Sequence, residues 1–286
     1  MLRVLAPAKL NLVLEVLGKR EDGYHEIRSL VQAIDLCDIL SLELARDIAL
    51  DCTEPDLQTP DNLVIKAAEL LREITGCREG VDIRLDKRIP WSAGLGGGSS
   101  DAAATLVALN ELWRLKLTNA ELIELAAKVG SDVPFFINKG MALIEGRGEK
   151  VTPLPDALSS WFVLLLPRLS QVPYKTRRLY AMLTAQHFTN GQFTDRALER
   201  WPESIEIIPS ILFNVFDSIA SAAFPGIEDY WRCFEQAGLD DIHLAGSGPA
   251  IFAPVDGEMR AGELCLHFWN QGITAYAVST STPEEE

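Results

Sequence analysis

The sequence has no apolar run near the ~18 residues that a membrane-spanning helix requires, and its mean hydropathy is only +0.08. WFVLLLP at residues 161–167 is the longest such stretch, and its length suits a buried strand. Basic residues are also scarce. Against 41 Asp and Glu stand 26 Lys and Arg, a net charge of −15. So acidic a chain lacks the basic face that a phosphodiester backbone needs, which argues against nucleic acid as a partner. Five cysteines are widely scattered with no C-x-x-C pair, so neither a zinc site nor a disulfide framework is indicated. That usage fits a reducing, cytoplasmic setting. The four histidines lack metal-ligand spacing. Arg3 precedes an apolar segment, as in a leader peptide, but Lys9 and Asn11 interrupt it, and residues 10–16 alternate like a strand.

What is there is ordinary globular material: 286 residues, 48% hydrophobic and 23% charged. That length accommodates one large or two medium domains. Residues 1–44 read as β-rich, broken by a turn at REDGYHEI. Helices are expected over 61–75, 100–115 and 119–129, the last entered through Thr118 as N-cap. A texture change at VTPLPDALSS, with two prolines and two serines, marks a boundary between domains at 1–155 and 156–286. In the second half, helices are expected near 175–185, 211–222, 227–237 and 257–270, with strands around DIHLAGSGPAIFAPV and at 273–279. Residues 186–209 carry no clear pattern, and the terminal EEE reads as a solvated tail. Strands and helices mix in both halves without a regular βαβ alternation, which favours two α+β domains.

The segment PWSAGLGGGSSDAAATL at residues 90–106 carries the chemistry. It is not a Walker A loop, because no lysine follows the glycines, and a dinucleotide G-x-G-x-x-G fails at Ser99. The physics of an anion cradle nevertheless survives both rejections. Closely spaced glycines let successive N–H groups converge on one anion, and the helix that follows adds unpaired N–H groups and its positive dipole end. Four glycines in five positions exceed what a tight turn with a serine N-cap needs, so phosphate binding is the preferred reading. Lys9 in PAKLN, Asp132 in GSDVPFF and the GSG turn at 246–248 have blander readings when taken singly: an edge charge, a cap between a helix and an apolar strand-like run, and a hairpin.

Together, PAKLN, DGYHEI, GLGGGSSDAA, GSDVPFF and GSGPAIF resemble the GHMP small-molecule kinase family over nearly the whole chain. The resemblance implies a two-domain α+β fold with its active site in the interdomain cleft, and transfer of the γ-phosphoryl group of ATP to an alcohol. The pairing of PAKLN with DGYH resembles the branch whose acceptor carries a cytidine diphosphate, in non-mevalonate isoprenoid precursor synthesis. By that resemblance, Gly94, Leu95, Gly96, Gly97, Gly98, Ser99 and Ser100 wrap the ATP phosphates, with Asn62 and Lys87 near the adenosine. Asp132 matches the catalytic base and Lys9 its partner. Asn11, Tyr24, His25, Tyr180, Gly246 and Ser247 fall on the acceptor side, Tyr24 and His25 at the cytosine. Mg²⁺ is implied with ATP, although no acidic pair announces ligands for it. Two other readings stay open: a GHMP kinase of homoserine or mevalonate type, and a catalytically silent relative that binds nucleotide. The presence of both Lys9 and Asp132 counts against the silent one.

Overall fold

A computed structural model describes residues 1–155, 160–170, 172–200 and 211–280. The expected acidic tail and part of the 186–209 stretch lie outside the described residues. Strand β1 (Leu2–Lys19) is buried on both faces from Ala6 to Val16, and so are the polar side chains Lys9, Asn11 and Glu15. Its partner β2 (His25–Ala45) runs antiparallel to it, with a bulge after Pro7 that shifts the register from Pro7↔Cys37 to Ala8↔Ile34. The far end of β2 pairs with β4 (Gly80–Asp86), which pairs in parallel with β3 (Ile48–Cys52). The near end pairs with β5 (Met141–Gly146), which carries β6 (Lys150–Leu154).

Four helices belong to this first half. Helix α1 (Leu63–Thr75) begins at Asn62, whose side-chain oxygen accepts from the Val64 N–H, and buries Val64, Ala67, Ala68 and Leu71 at helical spacing. Helix α2 (Gly97–Leu112) is more deeply placed, and its alanines allow close approach to β1 and α1. Helix α3 (Asn119–Val129) starts in a full capping box between Thr118 and Glu121. Helix α4 (Val133–Asn138) corrects the expectation of a strand-like run after Asp132. VPFFIN is apolar all round because all but its last residue are buried, and a proline in its first turn suits helix entry.

In the second half, β7 (Trp161–Leu166) is the centre of a separate antiparallel sheet with β9 (His243–Leu244), β10 (Ile251–Val255) and β11 (Thr274–Ser279), in the order β11-β7-β10-β9. Helices α5 (Lys175–Met182), α6 (Gln192–Arg200), α7 (Ala220–Ala223), α8 (Ile227–Gln236) and α9 (Glu258–Asn270) complete it. The helix expected over 211–222 is instead a two-residue strand β8 (Phe213–Asn214), a 3₁₀ turn at Val215–Ile219 and the single turn of α7. The Asn214 side chain explains the break: it accepts from the Phe216 N–H and donates to the carbonyls of Leu244 and Gly246. β8 lies parallel to β1, so the second half contributes a strand to the first sheet. A core cluster containing Leu10, Leu12, Ile34, Leu95, Phe162 and Phe252 spans the junction. The architecture is α+β, and no described helix is long and apolar enough to cross a membrane.

Candidate active site

Two glycine segments far apart in sequence meet beside β1. Gly94 has φ +94°, and a Cβ there would overlap the Ala245 carbonyl oxygen. Gly246 has φ +55°, and a Cβ there would stand 2.7 Å from Lys9 Nζ and 2.8 Å from the Gly94 carbonyl oxygen. Backbone bonds join the same parts: Lys9 N–H donates to Leu95 O at 2.9 Å and Ala250 N–H to Ala93 O at 3.2 Å. Glycine is required at both positions by the close approach as well as by the positive φ. Gly96 is the N-cap of α2, so the unpaired N–H groups of that helix open at the end of the loop.

A cavity of about 730 Å³ lies over this junction. Its wall takes Lys9, Asn11, Asn62, Lys87, residues 94–99, Asp101 and Asp132 from the first half, and Lys175, Thr176, Tyr180, Phe216, Gly246 and Ser247 from the second. Lys9, Lys87, Lys175 and Arg177 share that wall with Asp61, Asp101 and Asp132. Asp61 is matched by Lys66 at 2.9 Å.

Lys9 is held through a buried chain. Its ammonium donates to Asn11 Oδ1 at 2.5 Å, Asn11 Nδ2 to Ser29 Oγ at 2.8 Å, and Ser29 Oγ to Val13 O. Burial pushes the Lys9 pKa down and the charge of Asp132 pushes it back up, the first effect being larger. Asp132, the N-cap of α4, makes no side-chain capping bond and is exposed. Its charge also reaches Tyr180, whose hydroxyl pKa is raised first by burial and then by Asp132. Tyr180 stacks on His25 with centroids 5.1 Å apart and meets Phe216 edge-on. Burial holds the His25 pKa below its ordinary value, favouring the neutral ring.

Residues 62–140 match the model of the GHMP kinases N terminal domain. A 4-diphosphocytidyl-2-C-methyl-D-erythritol kinase of Dehalococcoides mccartyi is 44% identical over 283 residues, 99% of both chains. The chain belongs to the GHMP kinases, in the 4-diphosphocytidyl-2-C-methyl-D-erythritol kinase branch. It is therefore an enzyme, a small-molecule kinase. A crystal structure of 4-(cytidine 5'-diphospho)-2C-methyl-D-erythritol kinase aligns at TM-score 0.81 and 34% identity, covering 97% of this chain and 98% of that one. A homoserine kinase structure from Cytophaga hutchinsonii aligns at TM-score 0.72 but only 20% identity, over 97% of this chain and 93% of that one, and shows the fold alone.

Within this GHMP kinase, the cavity wall gathers the expected site residues except Ser100, Tyr24 and His25. Ser100 lies just behind the wall, buried, with a hydroxyl that has no hydrogen-bond partner. His25 approaches through its stack on Tyr180. Tyr24 stands apart on the turn, 58% exposed, with the Arg147 guanidinium 5.0 Å from its ring centre. The Asn62 amide is occupied in holding the start of α1, donating to Leu57 O as well as capping. Lys87 is committed too: its ammonium pairs with Asp38 and, at 2.8 Å, with Asp101. Sequence reasoning missed Lys175, Thr176 and Phe216. The first two sit in the polar run PYKTRRLY, whose only legible signal is Tyr180 at its end.

Proposed function

We propose that this enzyme transfers the γ-phosphoryl group of ATP to the 2-hydroxyl of 4-diphosphocytidyl-2-C-methyl-D-erythritol. The observation that carries the proposal is the convergence on one cavity wall of the uncapped Asp132 carboxylate, the Lys9 ammonium and the glycine loop ahead of α2. The named activity of the 44% identical relative supports the choice of substrate.

In this reading the N–H groups at the start of α2 receive the ATP phosphates, where the helix dipole favours negative charge. Asn62 and Leu63 line the adenosine end. Lys87 serves the nucleotide by holding the loop: its Nζ lies 3.3 Å from where a Gly97 Cβ would be, beneath the first turn of α2. Asp132 accepts the proton of the 2-hydroxyl as that oxygen bonds to the γ-phosphorus and the bond to the ADP oxygen breaks. Lys9, fixed through Asn11 and Ser29, is the cationic partner of Asp132 and offers charge to the transferring group. Tyr180 supplies a face for cytosine, with His25 stacked on it. Gly246 and Ser247 border the acceptor.

Mg²⁺ would neutralise charge between the β- and γ-phosphates. Among the described residues no group of three or more His, Cys, Asp or Glu is placed to hold a metal. The oxygens this chain offers there include the unpartnered hydroxyl of Ser100, the unpartnered Oδ1 of Asp101 and the carboxylate of Asp132, which fits an ion carried mainly by phosphate and water.

The test is to mix enzyme, ATP, Mg²⁺ and the cytidine-bearing alcohol and to look for the 2-phosphate by phosphorus NMR. Turnover of homoserine or mevalonate, with none of this alcohol, would overturn the choice of acceptor.

A further inference from the structure

Lys175, in the first turn of α5, is a partly buried cation with no anionic partner among the described residues. Its ammonium donates to the carbonyl oxygens of Ser92, at 2.8 Å, and Gly248. These oxygens flank the two glycine segments, 83 and 73 residues from it in sequence. No carboxylate lies within ion-pair distance of it among the described residues. Burial, and after it the charge of another cation, Lys9, lower its pKa to about 8. Two ammonium groups held close on one cavity wall repel each other, and burial adds to the penalty. In a chain of net charge −15, that arrangement is poorly matched unless an anion completes it. An ammonium has three donors and carbonyls take two here, which leaves one for a ligand.

We propose that Lys175 is a phosphate-binding residue, which reaches in from the second half and shares with Lys9 the charge of a phosphate group in the cavity. Its side chain is braced by the Ser92 and Gly248 carbonyls, and beside it the hydroxyls of Thr176 and Ser247 are 3.1 Å apart. The phosphate belongs either to ATP or to the diphosphate of the acceptor. The inference rests on the kinase reading above.

The experiment measures equilibrium binding of ATP, adenosine, CDP and cytidine to the wild type and to Lys175→Met, by calorimetry. A charge-assisted hydrogen bond to phosphate predicts at least about a 10-fold weakening of ATP or of CDP. The matching nucleoside should be unaffected, and whichever nucleotide weakens identifies the phosphate. Lys175→Gln, which can still donate to a backbone carbonyl, should weaken the same nucleotide without loss of thermal stability, and Lys175→Arg should restore most of the affinity. The proposal fails if nucleotide and nucleoside weaken together, as for a purely structural brace. It also fails if neither nucleotide changes by more than about 2-fold. Intact nucleotide binding with no transfer to the cytidine-bearing alcohol would count against the acceptor proposed above and leave this one standing.

Discussion

The two carboxylates around Lys87 should respond very differently to the same substitution. Asp38 is fully used: Oδ1 accepts the N–H groups of Arg88 at 2.6 Å and Ile89 at 2.8 Å, and Oδ2 takes the Lys87 ammonium. Asp101 is half used, for Oδ2 accepts Lys87 at 2.8 Å while Oδ1 is buried without a partner. Asp38→Asn turns an amide nitrogen toward the ammonium and breaks a buried ion pair, a loss of ~3–5 kcal/mol. Asp101→Asn keeps the shape and removes a carboxylate that burial already disfavours, so the expected loss is within ~1.5 kcal/mol. Urea unfolding at pH 7 measures both, provided the slopes match. The pH dependence adds a check of sign. Burial raises the Asp101 pKa from 3.8 to about 8, with Lys87 opposing. The folded carboxyl therefore keeps its proton to higher pH than the unfolded one. Its contribution is complete below pH 3.8 and is lost as pH rises to about 8. Asp101→Asn should flatten that part of the stability profile. Equal destabilisation by the two asparagine variants would refute this reasoning.

Gly94→Ala should lower the melting temperature and raise KM for ATP together, because a Cβ there overlaps the Ala245 carbonyl; a well-folded variant with unchanged KM would contradict the tight junction. Ser29→Ala leaves Asn11 Nδ2 unpaired in a buried chain, a loss of ~1–3 kcal/mol in stability, with a fall in kcat as Lys9 loosens. Unchanged kcat would show that Asn11 keeps its place unaided. Tyr180→Ala should raise KM for the acceptor by roughly 10-fold and leave KM for ATP alone, since a stacked base contributes ~1–3 kcal/mol. An equal rise for both substrates would remove Tyr180 from the cytosine.

Much of this was legible where local chemistry dictates the outcome. The Asn62 and Thr118 caps, the alanine-rich helix behind the loop and the strand at WFVLLLP all announce themselves in a few residues. What the sequence hides depends on distant partners. VPFFIN looks like a strand because burial on every side erases helical periodicity. Residues 211–222 look helical, yet Asn214 turns its side chain to the backbone of Phe216, Leu244 and Gly246 and ends any helix there. Lys175 was invisible for the same reason: a lysine in a polar run gains its meaning from two carbonyls contributed by other loops. The resemblance puts Lys87 near the adenosine, and its ion pair with Asp38, 49 residues away, has no local signal.

Asp132→Asn in a single-turnover reaction tests the central claim most directly. With ATP, Mg²⁺ and 4-diphosphocytidyl-2-C-methyl-D-erythritol, the variant should bind ATP as the wild type does. It should form the 2-phosphate slower by at least about 100-fold, the usual scale of lost general-base catalysis. Transfer at the wild-type rate would contradict the account.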